Sequence, residues 1–415
     1  MNRSAVLPIV LCSLLFGPGC RRESRPAPPA EEKPLRALDP AIESTTVEAL
    51  MALGYVEAAE DAPPGAKLGV LKHDADLAFQ GFTYMTSTAG ACSSQLVDMD
   101  GKVVRSWKHE PCMEWDNSVL LPTGEVLAVH KYPVKRRTSD EMAGARRLIK
   151  FSWDGGIVWE RQIAAHHDVG LTPSNRIAVL TRHVHLIPKI HPDVPVRDHF
   201  ITILDQKGKV VESASITQIM LRSPDVYTIK KRPPRMKQGQ MQVELVHANA
   251  VEWMDDDDLA KKHPIYAKTN VLICMRAQDS VAIIDWKKKK IVWTWGRNVL
   301  SGPHDSTVLE NGNILIFDNG LKHKRSRVVE LDPVAKKIVW EYKGPDDNPF
   351  FTGSMGASQR LENGNTLITV SGSARVFEVT PGGRIAWEYL NPILNDAGKP
   401  VAVSRARRFA GSPGA

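Results

Sequence analysis

A two-part pattern recurs along most of this 415-residue chain, and it limits the possible folds more than any other feature. One part is an apolar strand, a tight turn and a second apolar strand. It reads SVLLPTGEVLAVHK from Ser118, VGLTPSNRIAVLTR from Val169, STVLENGNILIFDNG from Ser306 and SQRLENGNTLITVSG from Ser358. Asn-Gly between apolar runs signals a hairpin, because both residues tolerate the positive φ of a type I′ turn. A degenerate copy begins at Asn249 and carries an acidic insertion, Asp255 to Asp258, in its turn. The other part is a turn followed by Lys/Arg, Ile/Val, Val/Ala and often Trp. It reads VDMDGKVVRSW, FSWDGGIVWE, LDQKGKVVES, IDWKKKKIVWTW, LDPVAKKIVWEY and VTPGGRIAWEY. Trp107, Trp159, Trp293, Trp340 and Trp387 lie 52, 134, 47 and 47 residues apart, and the long gap holds the Trp-less copy at Lys209–Ser213.

Six copies of a four-strand unit of about 45–50 residues predict an all-β, six-bladed β-propeller over residues 67–410. Apolar runs on both faces fit blades that stack front and back, and Trp suits an outer strand packed between blades. A β-sandwich does not account for six matching endings. The first unit, Leu68 to Lys108, lacks one strand. Val401–Phe409 (VAVSRARRF) is expected to supply it and remove the last free sheet edge. Segment 214–246, rich in Lys, Arg, Met and Pro, is expected to form loops or short helices over one mouth of the channel.

The N-terminus reads as a leader. Arg3 precedes the apolar run Ala5–Phe16, which is too short to span a bilayer, and Gly-Pro-Gly-Cys follows. Residues 1–20 thus form a signal peptide with a lipobox-like site, and Cys20 is the lipidation candidate; plain secretory cleavage is the alternative. Residues 21–66 are a Pro-rich, charged tether with a short amphipathic helix at 43–54. The expected location is the periplasm or cell envelope, with membrane contact only through the lipid. Export permits disulfides, and Cys92 and Cys112 fall within one repeat. The net charge of +7 comes from scattered Lys and Arg without a nucleic-acid motif, which favours small anionic ligands over nucleic acid.

The first strand of each blade lines the channel, so equivalent positions converge on one axis. Registering the copies on their leucine or valine aligns His304 with His247, His166, Asp116 and Gly356. Asp305, Asn249, Asp168 and His167 lie beside them. Arg276 ends the second strand of the His247 blade. Imidazoles, an amide and a guanidinium form an oxyanion-binding set, and Arg offers a planar fork of donors to a tetrahedral anion. Three imidazoles also suit zinc, but the guanidinium and amide favour an anion, and no metal or cofactor is expected. Asp305, grouped with the binding set, and Asp168 either orient an imidazole or cap the strand turn.

His247-Ala-Asn249, the downstream Arg276, GPHDSTVLENGNILIFDNG and WEYLNP together resemble the arylsulfotransferase family, bacterial exported enzymes that use no nucleotide sulfate donor. The resemblance covers most of residues 80–408. It implies a six-bladed propeller and ping-pong sulfuryl transfer from an aryl sulfate to a phenol. It implies that His304 is the transiently sulfated residue, and that His247, Asn249 and Arg276 hold the sulfuryl oxygens. The His166/His167 pair supplies one further active-site histidine, and the register favours His166. Two other readings stand beside this one: a non-enzymatic envelope propeller, and a hydrolase in which water resolves the sulfo-enzyme.

Other runs read plainly. Lys287–Lys290 is a solvated turn, and Asp255–Asp258 lacks the alternating spacing of a calcium loop. His183, His185 and His191 fall in a surface loop. Trp286 and Trp295 are packing residues.

Overall fold

Each predicted hairpin forms, and the hairpins join into six antiparallel sheets. The computed structural model describes residues 67–88, 90–135 and 138–411. The leader, Cys20, the tether and the short helix at 43–54 lie outside the described residues.

From the channel outward, the second blade runs β5 (Glu114–Leu120), β6 (Val126–Lys131), β7 (Arg146–Phe151) and β8 (Ile157–Gln162). The third runs β9 (Ala165–Leu171), β10 (Ile177–His185), β11 (Val196–Leu204) and β12 (Val210–Ser215). The fourth runs β15 (Ala248–Trp253), β16 (Asn270–Met275), β17 (Ser280–Asp285) and β18 (Lys290–Trp295). The fifth runs β19 (His304–Val308), β20 (Ile314–Asp318), β21 (Arg327–Asp332) and β22 (Lys337–Tyr342). The sixth runs β23 (Ala357–Arg360), β24 (Thr366–Val370), β25 (Arg375–Val379) and β26 (Ile385–Leu390). It ends in a fifth strand, β1 (Gly69–His73), paired to β26.

The first blade is closed by its missing strand. β27 (Val403–Phe409) is innermost, beside β2 (Phe82–Ser87), β3 (Ser93–Val97) and β4 (Val103–Lys108). The innermost strands touch in a closed cycle, β5 to β9, β15, β19, β23, β27 and back to β5. The edge left by an open ring is thereby removed.

Second strands are apolar on both faces because both faces are covered; β6, β16, β20 and β24 are buried throughout. Every outer strand pair carries a bulge at the same place, from Leu96/Val97 in the first blade to Glu378/Val379 in the sixth. Such bulges add twist, which a radial stack of sheets requires.

The repeated tryptophans join the blades. Nε1 of Trp107, Trp159, Trp293, Trp340 and Trp387 donates to a backbone carbonyl in a turn of the next blade: Ser152, Gln206, Pro333, Pro381 and Met99. Each contributes about 1 kcal/mol beyond the burial of the indole. In the Trp-less third blade, Glu212 follows the same bulge and the bond reverses. Trp286 of the fourth blade donates to Glu212 at 3.0 Å, and Lys289 pairs with it at 2.6 Å.

The insertion at 214–246 begins with a helix, Ile216–Leu221, whose Ile216, Ile219 and Met220 are buried between the third and fourth blades. A hairpin of β13 (Arg235–Lys237) and β14 (Gln240–Gln242) follows. Gln242 bonds Ser139 on a second short helix, Ser139–Gly144, at 2.5 Å.

One expectation is corrected here. His183 and His185 are not in a loop; they end the long strand β10, and His185 bonds Asp198 across the pair at 3.2 Å. The acidic run Asp255–Asp258 starts a helix, with Asp256 capping Asp257–Lys262.

Candidate active site

The heads of the inner strands are irregular, and the irregularity positions the site. β5, β9, β15 and β19 each lose register with their neighbours near residues 116, 167, 249 and 305. His167, His247 and Asp305 take left-handed backbone, with φ of 57°, 48° and 47°. Non-glycine residues there cost on the order of 1 kcal/mol each, and such strain collects at functional sites. Before β23 of the sixth blade stands Gly356, φ 96°, where a Cβ would lie 2.4 Å from the Phe317 ring.

His304 opens β19 and is 6% exposed. Its Nδ1 lies 2.6 Å from Oδ1 of Asn319. The Asn319 amide is oriented by Nδ2, which donates to the carbonyls of Thr352 and Met355, both at 2.9 Å. Oδ1 must therefore accept, so Nδ1 of His304 carries the hydrogen and Nε2 keeps its lone pair. Burial, then the nearby Arg276 charge, pulls the His304 pKa down to about 3. The ring is neutral at any ordinary pH.

His247 precedes β15. Its Nδ1 bonds Glu244 at 2.9 Å, and its Nε2 lies 3.0 Å from Nε2 of His167. Burial opposes the Glu244 charge, but His247, Lys237 and Arg197 outweigh it and hold the carboxyl well below its usual range. Burial lowers the pKa of both His247 and His167. With both rings neutral, Nδ1–H of His247 donates to Glu244 and Nε2 accepts from Nε2–H of His167.

Arg276 follows β16 in a single 3-10 turn and donates to the Gly353 carbonyl at 3.3 Å. Asn249 donates one Nδ2–H to the Pro303 carbonyl at 2.9 Å, tying β15 to β19 just before His304.

The structure thus brings together His304, His247, His167, Arg276 and Asn249. It separates out two expected residues. His166 is 1% exposed and turned behind His167, with ring centres 3.7 Å apart, and packs on His199 at 5.1 Å. The register that favoured His166 fails because three residues of β9 oppose Leu180 alone between the Val179–Val169 and Thr181–Ala165 pairs. Asp305 faces away from the imidazoles. Its Oδ1 accepts from Arg407 at 2.6 Å and Arg405 at 3.0 Å, and its Oδ2 accepts from the Ser358 N–H at 2.8 Å.

Asp168 mirrors it, accepting from Arg405 at 2.6 Å and from the Val251 N–H at 2.9 Å. Neither aspartate orients an imidazole or caps its own turn; both tie one blade to the next. They line a cavity of about 270 Å³ with Glu252, Ser306, Arg405 and Arg407, which no histidine lines.

Asp116, expected in the histidine row, pairs with Arg146 at 2.6 Å and accepts the His167 N–H at 3.2 Å. Donor atoms of Asp116, His166 and His167 lie within 4.8 Å of one another. The Arg146 guanidinium on Asp116 makes this trio a poor cation cage and a better anion environment.

Several contributors escaped the sequence reading. Asn319 stands in the quoted IFDNG, where no other copy of the repeat carries an asparagine. Glu244 lies three residues before His247, inside the insertion. Arg405 and Arg407 come from the closing strand. Cys92 and Cys112 are joined in a disulfide within the first blade's edge, and Cys274 is free and buried.

No curated protein matches the chain. Among solved structures, a protein of unknown function from Bacteroides caccae is 16% identical with a TM-score of 0.48, covering 79% of this chain and 98% of that one. A periplasmic gluconolactonase from Pseudomonas aeruginosa is 12% identical with a TM-score of 0.45, covering 78% and 98%. Virginiamycin B lyase from Staphylococcus aureus is 13% identical with a TM-score of 0.41, covering 79% and 89%. A family model described as "Arylsulfotransferase (ASST)" matches residues 148–392.

Proposed function

The chain belongs to the arylsulfotransferase family, and from that premise we propose that it moves a sulfuryl group from an aryl sulfate to a phenol through His304. The observation that carries this reading is the Asn319 bond. It fixes the tautomer that leaves Nε2 of a buried, neutral imidazole with a free lone pair.

In the first half-reaction Nε2 of His304 attacks sulfur. The N–S bond forms as the S–O bond to the aryl group breaks, and the phenolate oxygen leaves with the electron pair. Arg276 and the remaining N–H of Asn249 hold the sulfuryl oxygens, each such fixed donor being worth about 3 kcal/mol. His247, held by Glu244, passes a proton with His167 to and from the phenol oxygen, a role worth roughly 10²–10⁴-fold. In the second half-reaction an acceptor phenol loses its proton to that pair and attacks sulfur. The S–N bond breaks and its electrons return to Nε2. Splitting the transfer over a covalent intermediate divides one difficult step into two.

The hydrolase reading differs only in the second nucleophile, and the scaffold reading requires no turnover. One experiment separates all three: an aryl sulfate that releases a coloured phenol, with and without an added phenol, on wild type and His304→Ala. A transferase makes the new aryl sulfate and gains one sulfuryl group in intact mass, and His304→Ala does neither. Release without acceptor dependence identifies a hydrolase. No release from wild type sinks both.

We place the protein outside the cytoplasm, in the periplasm or cell envelope, anchored through Cys20. The leader-like N-terminus and the Cys92–Cys112 disulfide support this. Metabolic labelling with a fatty-acid probe, lost in Cys20→Ala, tests the anchor.

A further inference from the structure

Three guanidinia stand behind the imidazoles of the third blade. Arg146 is answered by Asp116. Arg197 donates to Gln242 at 3.1 Å and to Gln238 at 3.0 Å, with Glu244 at 4.0 Å. Arg182 has no direct partner: among the described residues its guanidinium makes no hydrogen bond and no ion pair, although the residue is only 9% exposed, and Asp116 and Glu244 act on it only at longer range. Isolated charges are rarely left in that position, since burial without a partner costs several kcal/mol.

Buried ring nitrogens without partners surround it. Arg182 is the cross-strand partner of His199 in the β10–β11 pair. Both ring nitrogens of His199, and Nδ1 of His166, are buried without a hydrogen-bond partner. His166 and His199 lie 5.1 Å apart, and His199 stacks on His247 at 6.2 Å. A row of rings therefore runs from the proposed sulfuryl site to Arg182. Burial comes first in lowering the Arg182 pKa, Arg146 and Arg197 add to it, and Asp116 and Glu244 offset it only in part. An incoming negative charge relieves all three. Charge balance agrees. Five cations (Arg146, Arg182, Arg197, Lys237 and Arg276) act on the imidazole row against two carboxylates, Asp116 and Glu244. One sulfate monoester leaves that surplus only partly offset.

We propose that Arg182, with His166 and His199 around it, is a second anion site that receives a carboxylate carried on the side chain of the phenolic substrate. The natural substrates are then acidic phenols and their sulfates. The ring lies along the imidazole row, the phenolic oxygen reaches His304, and the carboxylate reaches the guanidinium fork. This inference rests on the sulfuryl-transfer reading for the identity of the substrate, while the site itself is testable without turnover.

The test is calorimetric binding, with no sulfate donor present, of 3-(4-hydroxyphenyl)propionate and its neutral amide to wild type, Arg182→Met and Arg182→Lys. Wild type is expected to prefer the acid at least about tenfold, the value of one charge-assisted contact. That ratio should fall towards one in Arg182→Met and recover partly in Arg182→Lys. Equal affinity for acid and amide in wild type overturns the proposal, and this arm requires no variant to fold. A preference that survives Arg182→Met in a protein with wild-type circular dichroism also overturns it. Acetate binding as tightly as the aryl acid would reveal a free-anion site and overturn the substrate assignment. Failure of sulfuryl transfer alone, with the acid preference intact, would remove the enzymatic reading and leave the anion site standing.

Discussion

Asp168 follows His167 in the chain and Asp305 follows His304, yet the neighbours serve opposite chemistry. The imidazoles belong to a mouth where polar groups lack partners: Nδ1 of His166, both nitrogens of His199 and Oδ1 of Asn249. The aspartates belong to a layer where opposite charges meet. Arg405 bridges Asp168 and Asp305, and Arg407 closes the set. A buried charge with its counter-charge is a structural element, because removing either member leaves the other stranded. A buried polar atom without a protein partner is one that a ligand can satisfy. The bulged strand heads separate these two environments by a single residue.

The largest effect expected is in the mouth. His304→Ala should lower turnover at least about 10⁴-fold, more than about 5 kcal/mol of transition-state stabilisation. Its melting temperature should stay near wild type, as measured by phenol release and calorimetry on one preparation. The layer should show the reverse. Arg405→Met strands Asp168 and leaves Asp305 with Arg407 alone, and should cost about 3–5 kcal/mol of stability in urea unfolding. Were that variant as stable as wild type, the division drawn here would be wrong.

Asn319→Ala should sharpen the picture within the mouth. Losing control of the His304 tautomer should reduce kcat by roughly 10–100-fold, or about 1.4–2.7 kcal/mol. Binding of an unreactive aryl sulfonate should hold.

The smallest effect separates the regions by pH. The lowered histidines His166, His167, His199, His247 and His304 stay neutral when folded but take up protons when unfolded. Their contribution is present above the unfolded histidine pKa of about 6.5 and is lost as pH falls below it. Glu252, beside the layer, is pushed up to about 8 by burial. Its contribution is present below the unfolded glutamate pKa of about 4.3 and is lost as pH rises through 8. The stability of wild type relative to Glu252→Gln should therefore decline between pH 5 and 8 and level off above. A difference independent of pH would mean that Glu252 is ionised in the fold.

The propeller was legible because its signal is repeated six times; no single Asn-Gly turn would have sufficed. The closing strand was legible from one missing partner and one leftover strand. The histidine row was legible up to one residue. A bulge changes register without changing composition, so the side chain facing the channel was His167 where spacing pointed to His166. Asn319, Glu244, Arg182 and Arg197 were hidden for another reason. They enter from second and third strands or from the insertion, where no repeat marks which residue meets which. Asp305 was misread because adjacency in sequence was taken for adjacency in space.

Ring closure by β27 has a consequence for assembly. Ser404 meets Thr86 across 318 residues of chain, whereas the second to fifth blades are built from neighbouring hairpins alone. Local hairpins form cheaply and distant pairings form slowly, so the sealing strand docks late. Two of the three guanidinia it bears, Arg405 and Arg407, are the counter-charges for carboxylates already converging on the axis. Long-range attraction between them guides that docking, and it makes one short segment both the clasp of the ring and the lure that draws it home.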